Sequence, residues 1–229
     1  KAYHIKSSHK RKLLQQKGNF PDMLVMTATP IPRTLALTLY GDLDISTITT
    51  MPEGRKEIRT FVRGEASRRK VYQFALDQIK KGKQIYVVAP AIEENIEFPM
   101  KSVEALQKEL QMIFNEQIRI GVLHGQIKSK DKAQVMEDFH NREIDLLIST
   151  TVIEVGVHVA NATVMIIESA ERFGLSQLHQ LRGRVGRGDA ESFCILISSS
   201  VENSRLQAME RIRDGFFLAE EDLKLRGPG

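Results

Sequence analysis

Residues Val164-Met165-Ile166-Ile167 are four apolar side chains in a row, set between Thr163 and Glu168. A strand with one wet face alternates apolar and polar residues, whereas an unbroken apolar run suits a strand covered on both faces. Ile85-Tyr86-Val87-Val88 repeats the pattern. Working outward, β-rich runs fall at Ile58–Val62, Gln84–Ala89, Arg119–Leu123, Ile144–Ser149, Thr163–Glu168 and Phe193–Ser198. Helical spacing fills the gaps. Ser67 is placed to cap a helix carrying Val71, Phe74, Ala75 and Ile79, with Gly82 as its stop. Ser102 is placed to cap another with Val103, Leu106, Leu110 and Ile113 on one face, and Ser129 a third with Val135, Met136 and Phe139 inward. This alternation predicts a doubly wound parallel α/β sheet flanked by helices, with ligands beyond the carboxyl ends of its strands.

The ends of the chain read differently. Lys1 to Lys17 is polar and basic; one strand (Met23–Met26) and one helix (about Arg33 to Tyr40) precede the linker-like Met51-Pro52-Glu53-Gly54. One strand and one helix cannot make a core, so residues 1–52 read as the tail of another domain. Residues 53–200 hold the sheet. Residues 201–229 offer a charged helix (Arg205 to Arg213), then Asp214-Gly215 and a further helical run to Lys224.

The chain's 229 residues are 41% hydrophobic and 27% charged, which is an ordinary globular composition. A formal charge of +4 permits nucleic-acid binding without requiring it. The single cysteine, Cys194, lies in an apolar run and reads as a buried structural thiol, and a lone thiol suits a reducing cytoplasm. No apolar stretch approaches the ~20 residues of a membrane span, so no membrane partner is expected. Glu93-Glu94-Asn95-Ile96-Glu97 reads as a solvated loop, and no metal site is expected.

The chemistry concentrates in Leu178–Asp189, where Gln180, Gly183, Arg184, Gly186 and Arg187 give Gln-x-x-Gly-Arg-x-Gly-Arg. Two arginines three apart can stack on one side of a helical turn, and their guanidinium forks suit phosphate oxygens. Glycines let the backbone pass close to a ligand or turn sharply. Ser149 to Val157 follows a strand, and its hydroxyls and amides at a helix start make a natural phosphate contact. Gly125, in Leu123-His124-Gly125-Gln126, would let a phosphate backbone approach. Thr27-Ala28-Thr29 follows a strand and places small hydroxyls beside a nucleotide site. All these stations are expected at carboxyl ends of strands. The basic run Arg68-Arg69-Lys70 reads equally as a DNA contact or a solvated face, and His124 and His179 as packed or functional.

The order of these stretches resembles the later motifs of superfamily 2 helicases. Longer strings narrow it: Thr27-Ala-Thr-Pro-Ile-Pro-Arg-Thr34, Tyr40-Gly-Asp-Leu-Asp44, Thr150-Thr-Val-Ile-Glu-Val-Gly156, Glu171-Arg-Phe-Gly-Leu175, Gln177 to Gly188 and Leu225-Arg-Gly-Pro-Gly229 resemble the RecG family of bacterial ATP-dependent DNA helicases, from about Lys17 to Gly229. The resemblance implies a RecA-like carboxyl-terminal lobe followed by a helical translocation motif. It implies that Arg184 and Arg187 face the ATP γ-phosphate as catalytic residues, with Gln180, Gly183, Gly156 and His158 lining the nucleotide. It places Thr150, His124 and Gly125 on DNA, and Thr27 and Thr29 in coupling. It further implies ATP and Mg2+ as cofactors, and action on branched or duplex DNA in fork reversal and junction branch migration, for repair and recombination. A wedge domain and first helicase lobe would be missing partners.

The chain departs from that pattern twice. No Gly-x-x-x-x-Gly-Lys-Ser/Thr loop occurs, and Lys1-Ala2-Tyr3-His4 stands where an Asp-Glu-x-His box is expected. This chain alone is therefore expected to lack ATPase activity. His158 and Ala160 stand where relatives usually carry Asp and Pro, and His158 cannot supply a carboxylate's charge. The alternative reading is a non-enzymatic DNA-binding remnant of a helicase lobe.

Overall fold

The computed structural model describes residues 46, 56–90, 103–114, 118–150, 159–186 and 188–226. The expected strand Met23–Met26, the helix near Arg33–Tyr40, the cap at Ser102 and the loop Glu93–Glu97 lie outside the described residues. So do Thr27, Thr29, Gly156, His158 and Arg187.

Among the described residues six strands form one sheet: β1 (Ile58–Gly64), β2 (Gln84–Val88), β3 (Ile120–Leu123), β4 (Leu146–Ser149), β5 (Ala162–Ile167) and β6 (Ser192–Ser198). Their order is β1-β6-β5-β2-β4-β3, and every pairing is parallel. The apolar runs behave as their composition requires, since each residue of β2, β4 and β5 is buried. All six expected strands are present.

Helices α1 (Arg68–Lys80) and α2 (Val103–Ile113) cover one face, burying Val71, Tyr72, Ala75, Val103, Leu106 and Leu110 against Ile85, Val87, Ile148, Val164 and Ile166. The other face carries α3 (Ser129–His140), α4 (Leu175–Arg182), α5 (Ser204–Arg211) and α6 (Gly215–Arg226). There Met136, Phe139, Leu178, Leu181, Leu206 and Leu218 pack on Tyr86, Val88, Leu147, Met165 and Ile167. Crossover handedness decides the face: connections running toward β3 put helices on one side, and those running toward β1 put them on the other.

Several local expectations are corrected. Ser67 sits at φ −90°, ψ −5° at the end of a 3-10 turn, and its hydroxyl caps nothing. Ser129 is the first helical residue and Lys128 holds the capping position. The side chain that does cap is Asn203, which accepts hydrogen bonds from the Arg205 and Leu206 amides at 3.0 and 3.4 Å. Ile113, expected on the inner face of α2, is 37% exposed at the helix end. The charged helix expected over Arg205–Arg213 ends at Arg211, and Asp214 then accepts from the amides of Phe216 and Phe217 to open α6. Gly82, with φ 76°, stops α1 as expected.

Candidate functional site

The expected site residues that are described fall at two opposite rims of the sheet. At the carboxyl rim, Leu123 and Ser149 are register partners at the ends of β3 and β4. The Thr150 amide donates to the Leu123 carbonyl at 3.2 Å, so Thr150, His124 and Gly125 sit side by side. Gly125 is exposed, with nothing within 4 Å of where a side chain would begin. Its carbonyl accepts from Lys132 Nζ at 3.1 Å, which pins the turn to α3. His124 is half-buried, with its Nε2 3.9 Å from Glu104 Oε1 on α2. This rim offers an open backbone turn flanked by the exposed Lys128 and Lys130 and the half-buried Lys132, a combination suited to phosphate oxygens.

The arginine stretch is elsewhere, contrary to the expected position at a carboxyl strand end. Helix α4 starts at the carboxyl rim, after β5, but runs back across the sheet. Arg182 ends it, so Arg184 follows the helix in a turn, its amide bonded to the Leu181 carbonyl at 3.0 Å. Gly186 lies against Ile58 and Ser192, the first residues of β1 and β6, and Gly188 lies against Ala160, just ahead of β5. These are amino-terminal strand ends. A seven-residue strand such as β6 spans roughly 23 Å at ~3.3 Å per residue, so the two rims are separate surfaces.

At the amino rim, Gln180 and Arg184 are half-buried, and no ion pair holds Arg184 among the described residues. The two glycines of the turn differ in kind. Gly183 has φ −68°, which any residue adopts. Gly186 has φ 71°, and a Cβ there would sit 2.7 Å from Ile58 Cγ1. Its glycine is required by the turn and by packing on β1, rather than by approach to a ligand. A half-buried guanidinium on a tight turn, with no ion pair among the described residues, fits an anionic phosphate group.

Sequence reasoning passed over Arg182. It is buried, and its guanidinium donates to the carbonyls of Met209 (3.1 Å), Ile212 (3.0 Å) and Arg213 (2.9 Å). Burial pulls its pKa below the usual arginine value, but three carbonyl acceptors at the open end of α5 hold the charge. A second tie joins the other end of α5: Arg205 Nη2 donates to the Glu171 carbonyl at 3.1 Å, in the turn before α4. Only its place in Leu-Arg-Gly-Arg marked Arg182, and nothing there separates a buried arginine from a ligand-facing one. Cys194 is buried, as expected, and burial pushes its thiol up to about 12.

A six-stranded parallel sheet carrying a glycine-arginine turn on one rim and a backbone turn on the other defines a RecA-like helicase carboxyl-terminal lobe. The chain belongs to the family of helicase conserved C-terminal domains, whose model matches residues 67–189. Within it, the chain is similar to the ATP-dependent DNA helicase RecG of Streptococcus pneumoniae serotype 4, with 51% identity over 222 residues, 96% of this chain and 33% of the relative. The ATP-dependent DNA helicase RecG of a Synechocystis species is 50% identical over 96% of this chain and 27% of its own length. A solved structure of RecG bound to a three-way DNA junction aligns with TM-score 0.77 and 44% identity, over 93% of this chain and 28% of that one. The RecG likeness read from the motif strings is thus borne out, and the chain spans about a third or less of the length of these RecG relatives.

Proposed function

We propose that this chain is the second motor lobe and the start of the translocation segment of an ATP-dependent DNA helicase of RecG type. In this reading residues 53–200 form the lobe, 201–229 begin the translocation helices and 1–52 end the first lobe. The observation that carries it is the Arg184 turn: a guanidinium with no ion pair among the described residues, beside a glycine of positive φ, in a chain half-identical to RecG relatives.

The residues then have these roles. Arg184 and Arg187 neutralise charge on the transferring γ-phosphoryl group, as arginines do in phosphoryl transfer. Gln180, Gly183, Gly156 and His158 line the nucleotide. Thr150, His124 and Gly125 hold the DNA backbone at the opposite rim, and Thr27 and Thr29 couple the lobes. ATP supplies the free energy, and the groups that hold its β- and γ-phosphates and Mg2+ belong to the first lobe. The substrate is branched DNA, with fork reversal and junction branch migration as the outcome in a cytoplasmic repair and recombination role.

The test joins this chain to the first lobe of a RecG relative and measures ATP hydrolysis with and without branched DNA. DNA-stimulated hydrolysis is expected from the joined protein and none from the chain alone. Arg184→Ala or Arg187→Ala should lower kcat by about 10³-fold or more, the scale of arginine contributions to phosphoryl transfer. DNA binding without any hydrolysis in the joined protein would refute the motor and leave the DNA-binding remnant, the reading that His158 in place of the usual carboxylate favours.

A further inference from the structure

Glu168 ends the apolar run of β5, where its amide donates to the Val88 carbonyl of β2 at 2.8 Å. Its side chain turns toward the α1/α2 face and is 11% exposed. Arg68 Nε donates to both its oxygens, at 2.9 and 3.1 Å, and the wholly buried Tyr72 donates its hydroxyl to Oε1. Arg68 Nη1 also reaches Glu109 on α2, and the guanidinium lies 5.0 Å above the Tyr72 ring. Two helices and the end of a central strand are therefore joined through the Arg68 guanidinium. Burial pushes Glu168 above the usual carboxylate value, against the opposing pull of Arg68 and Tyr72.

This cluster is a poor choice if stability were its whole purpose. Arg68 opens α1, where the helix dipole disfavours a cation. Its Nη2 is buried without a hydrogen-bond partner among the described residues, and a buried unmet donor costs about 1–3 kcal/mol. The next residue after Glu168, Ser169, is held at φ 48°, ψ 49°, the left-handed region that a side chain disfavours. Strain and an unmet donor placed together point to a constraint other than stability.

Ser169 begins a short connection to the arginine helix. The Arg172 amide bonds to the Ser169 carbonyl at 3.0 Å and the Phe173 amide to the Ala170 carbonyl at 3.1 Å. The Gly174 amide then donates to Gln177 Oε1 at 3.0 Å as α4 begins. Ala170, Leu175, Leu178 and Leu181 are buried, so the segment has little freedom. Helix α4, eight residues long, carries the chain roughly 12 Å at ~1.5 Å per residue toward the amino rim and Arg184. On the other side of the cluster, α2 carries Glu109 and also Glu104, the residue that faces His124 at the carboxyl rim.

We propose that Glu168, clamped by Arg68 and Tyr72, is a positioning residue: it fixes the direction in which α4 leaves β5, and thereby the presentation of Gln180 and Arg184, from the face of the sheet opposite the arginine turn. The proposal rests on the motor reading above. Helix α2, bonded to Arg68 through Glu109, also brings Glu104 to 3.9 Å from His124, so the same cluster lies between the two rims.

The test uses the full-length protein carrying this chain, with Glu168→Gln and Tyr72→Phe. Each variant is checked by its thermal melt and DNA-binding stoichiometry. Glu168→Gln should lower kcat for DNA-stimulated ATP hydrolysis about tenfold and Tyr72→Phe about threefold, with KM for ATP nearly unchanged, the pattern of a lost transition-state interaction. In an Arg184→Ala background neither should lower kcat further, because groups acting through one another do not add. Unchanged kcat in the folded variants, or losses that multiply in that background, would overturn the proposal. If Glu168→Gln does not fold, Tyr72→Phe, which removes a single hydroxyl, decides. Amide exchange over residues 175–184 provides a readout independent of catalysis, expected to quicken in Tyr72→Phe. Were the unsubstituted protein to lack ATPase activity, the motor reading would fall, and unchanged exchange would then overturn the positioning role on its own.

Discussion

Gly183 and Gly186 stand three residues apart in one motif, and the structure asks different things of them. Gly183 adopts a helical conformation, with its nearest carbonyls 3.5 Å from where a Cβ would sit. Gly186 needs φ 71° and leaves 2.7 Å to Ile58. Gly186→Ala should therefore lose about 1–3 kcal/mol of stability, from positive φ and crowding together. Gly183→Ala should fall within about 1 kcal/mol of the parent. Urea melts of the two variants check this, and equal losses would mean that the turn is not shaped as described. The serines teach the same lesson from the other direction. Ser67 and Ser129 have the residue type of a helix cap but not the position or backbone, whereas Asn203, at φ −63° and ψ 115°, has both. Residue type was legible; the dihedral angles that let it act were not.

At the scale of elements, the fastening of α5 to α4 stands out. Arg182 donates to three carbonyls at the end of α5, and Arg205 ties its beginning to the turn before α4. The helices that follow the sheet are therefore anchored to the helix that carries the arginine turn, at both ends. Arg182→Met keeps the aliphatic volume but leaves the carbonyls of Met209, Ile212 and Arg213 without their donor. It should cost about 2–3 kcal/mol, the penalty of unmet buried acceptors. The loss should be local, with amide exchange quickening across 204–226 while β2, β4 and β5 stay protected. Exchange that quickens uniformly would show that Arg182 supports the whole core instead. The strands were the most legible elements, because six runs of apolar or β-branched residues match six strands to within two residues at either end. The arginine motif follows β5 along the chain, and that order alone predicts a carboxyl strand end for it. Helix α4 runs back across the sheet, and its length, set by packing, carries Arg184 to the other rim.

Across the whole molecule, the two rims divide the proposed work: phosphate-backbone contacts at the carboxyl ends of β3 and β4, and the arginine turn at the amino ends of β1 and β6. With a net charge of +4 and the exposed lysines beside Gly125, the chain should bind duplex DNA weakly, releasing counterions as it does so. Raising salt about fourfold, from roughly 50 to 200 mM, should then weaken binding by about tenfold or more. Fluorescence anisotropy over that range tests it, and affinity indifferent to salt would argue against a phosphate-backbone interface. Lys132→Ala, which frees the Gly125 carbonyl, belongs in the same titration as a probe of which rim the DNA occupies.

The sequence alone determined the layered α/β class, the six strands and the residues that meet phosphate in the proposed function, because buried strands need unbroken apolar runs and phosphate chemistry needs arginine and glycine at short spacing. Its long strings also carried the likeness to RecG. Only the tertiary structure decided that Arg184 and Thr150 occupy opposite rims, that Arg182 is a buried staple while Arg184 has no ion pair among the described residues, and that Arg68 and Tyr72 converge on Glu168 while Arg68 also reaches Glu109. Those facts depend on the direction in which helices recross the sheet and on contacts between residues as much as 100 positions apart, for which local sequence carries no signal.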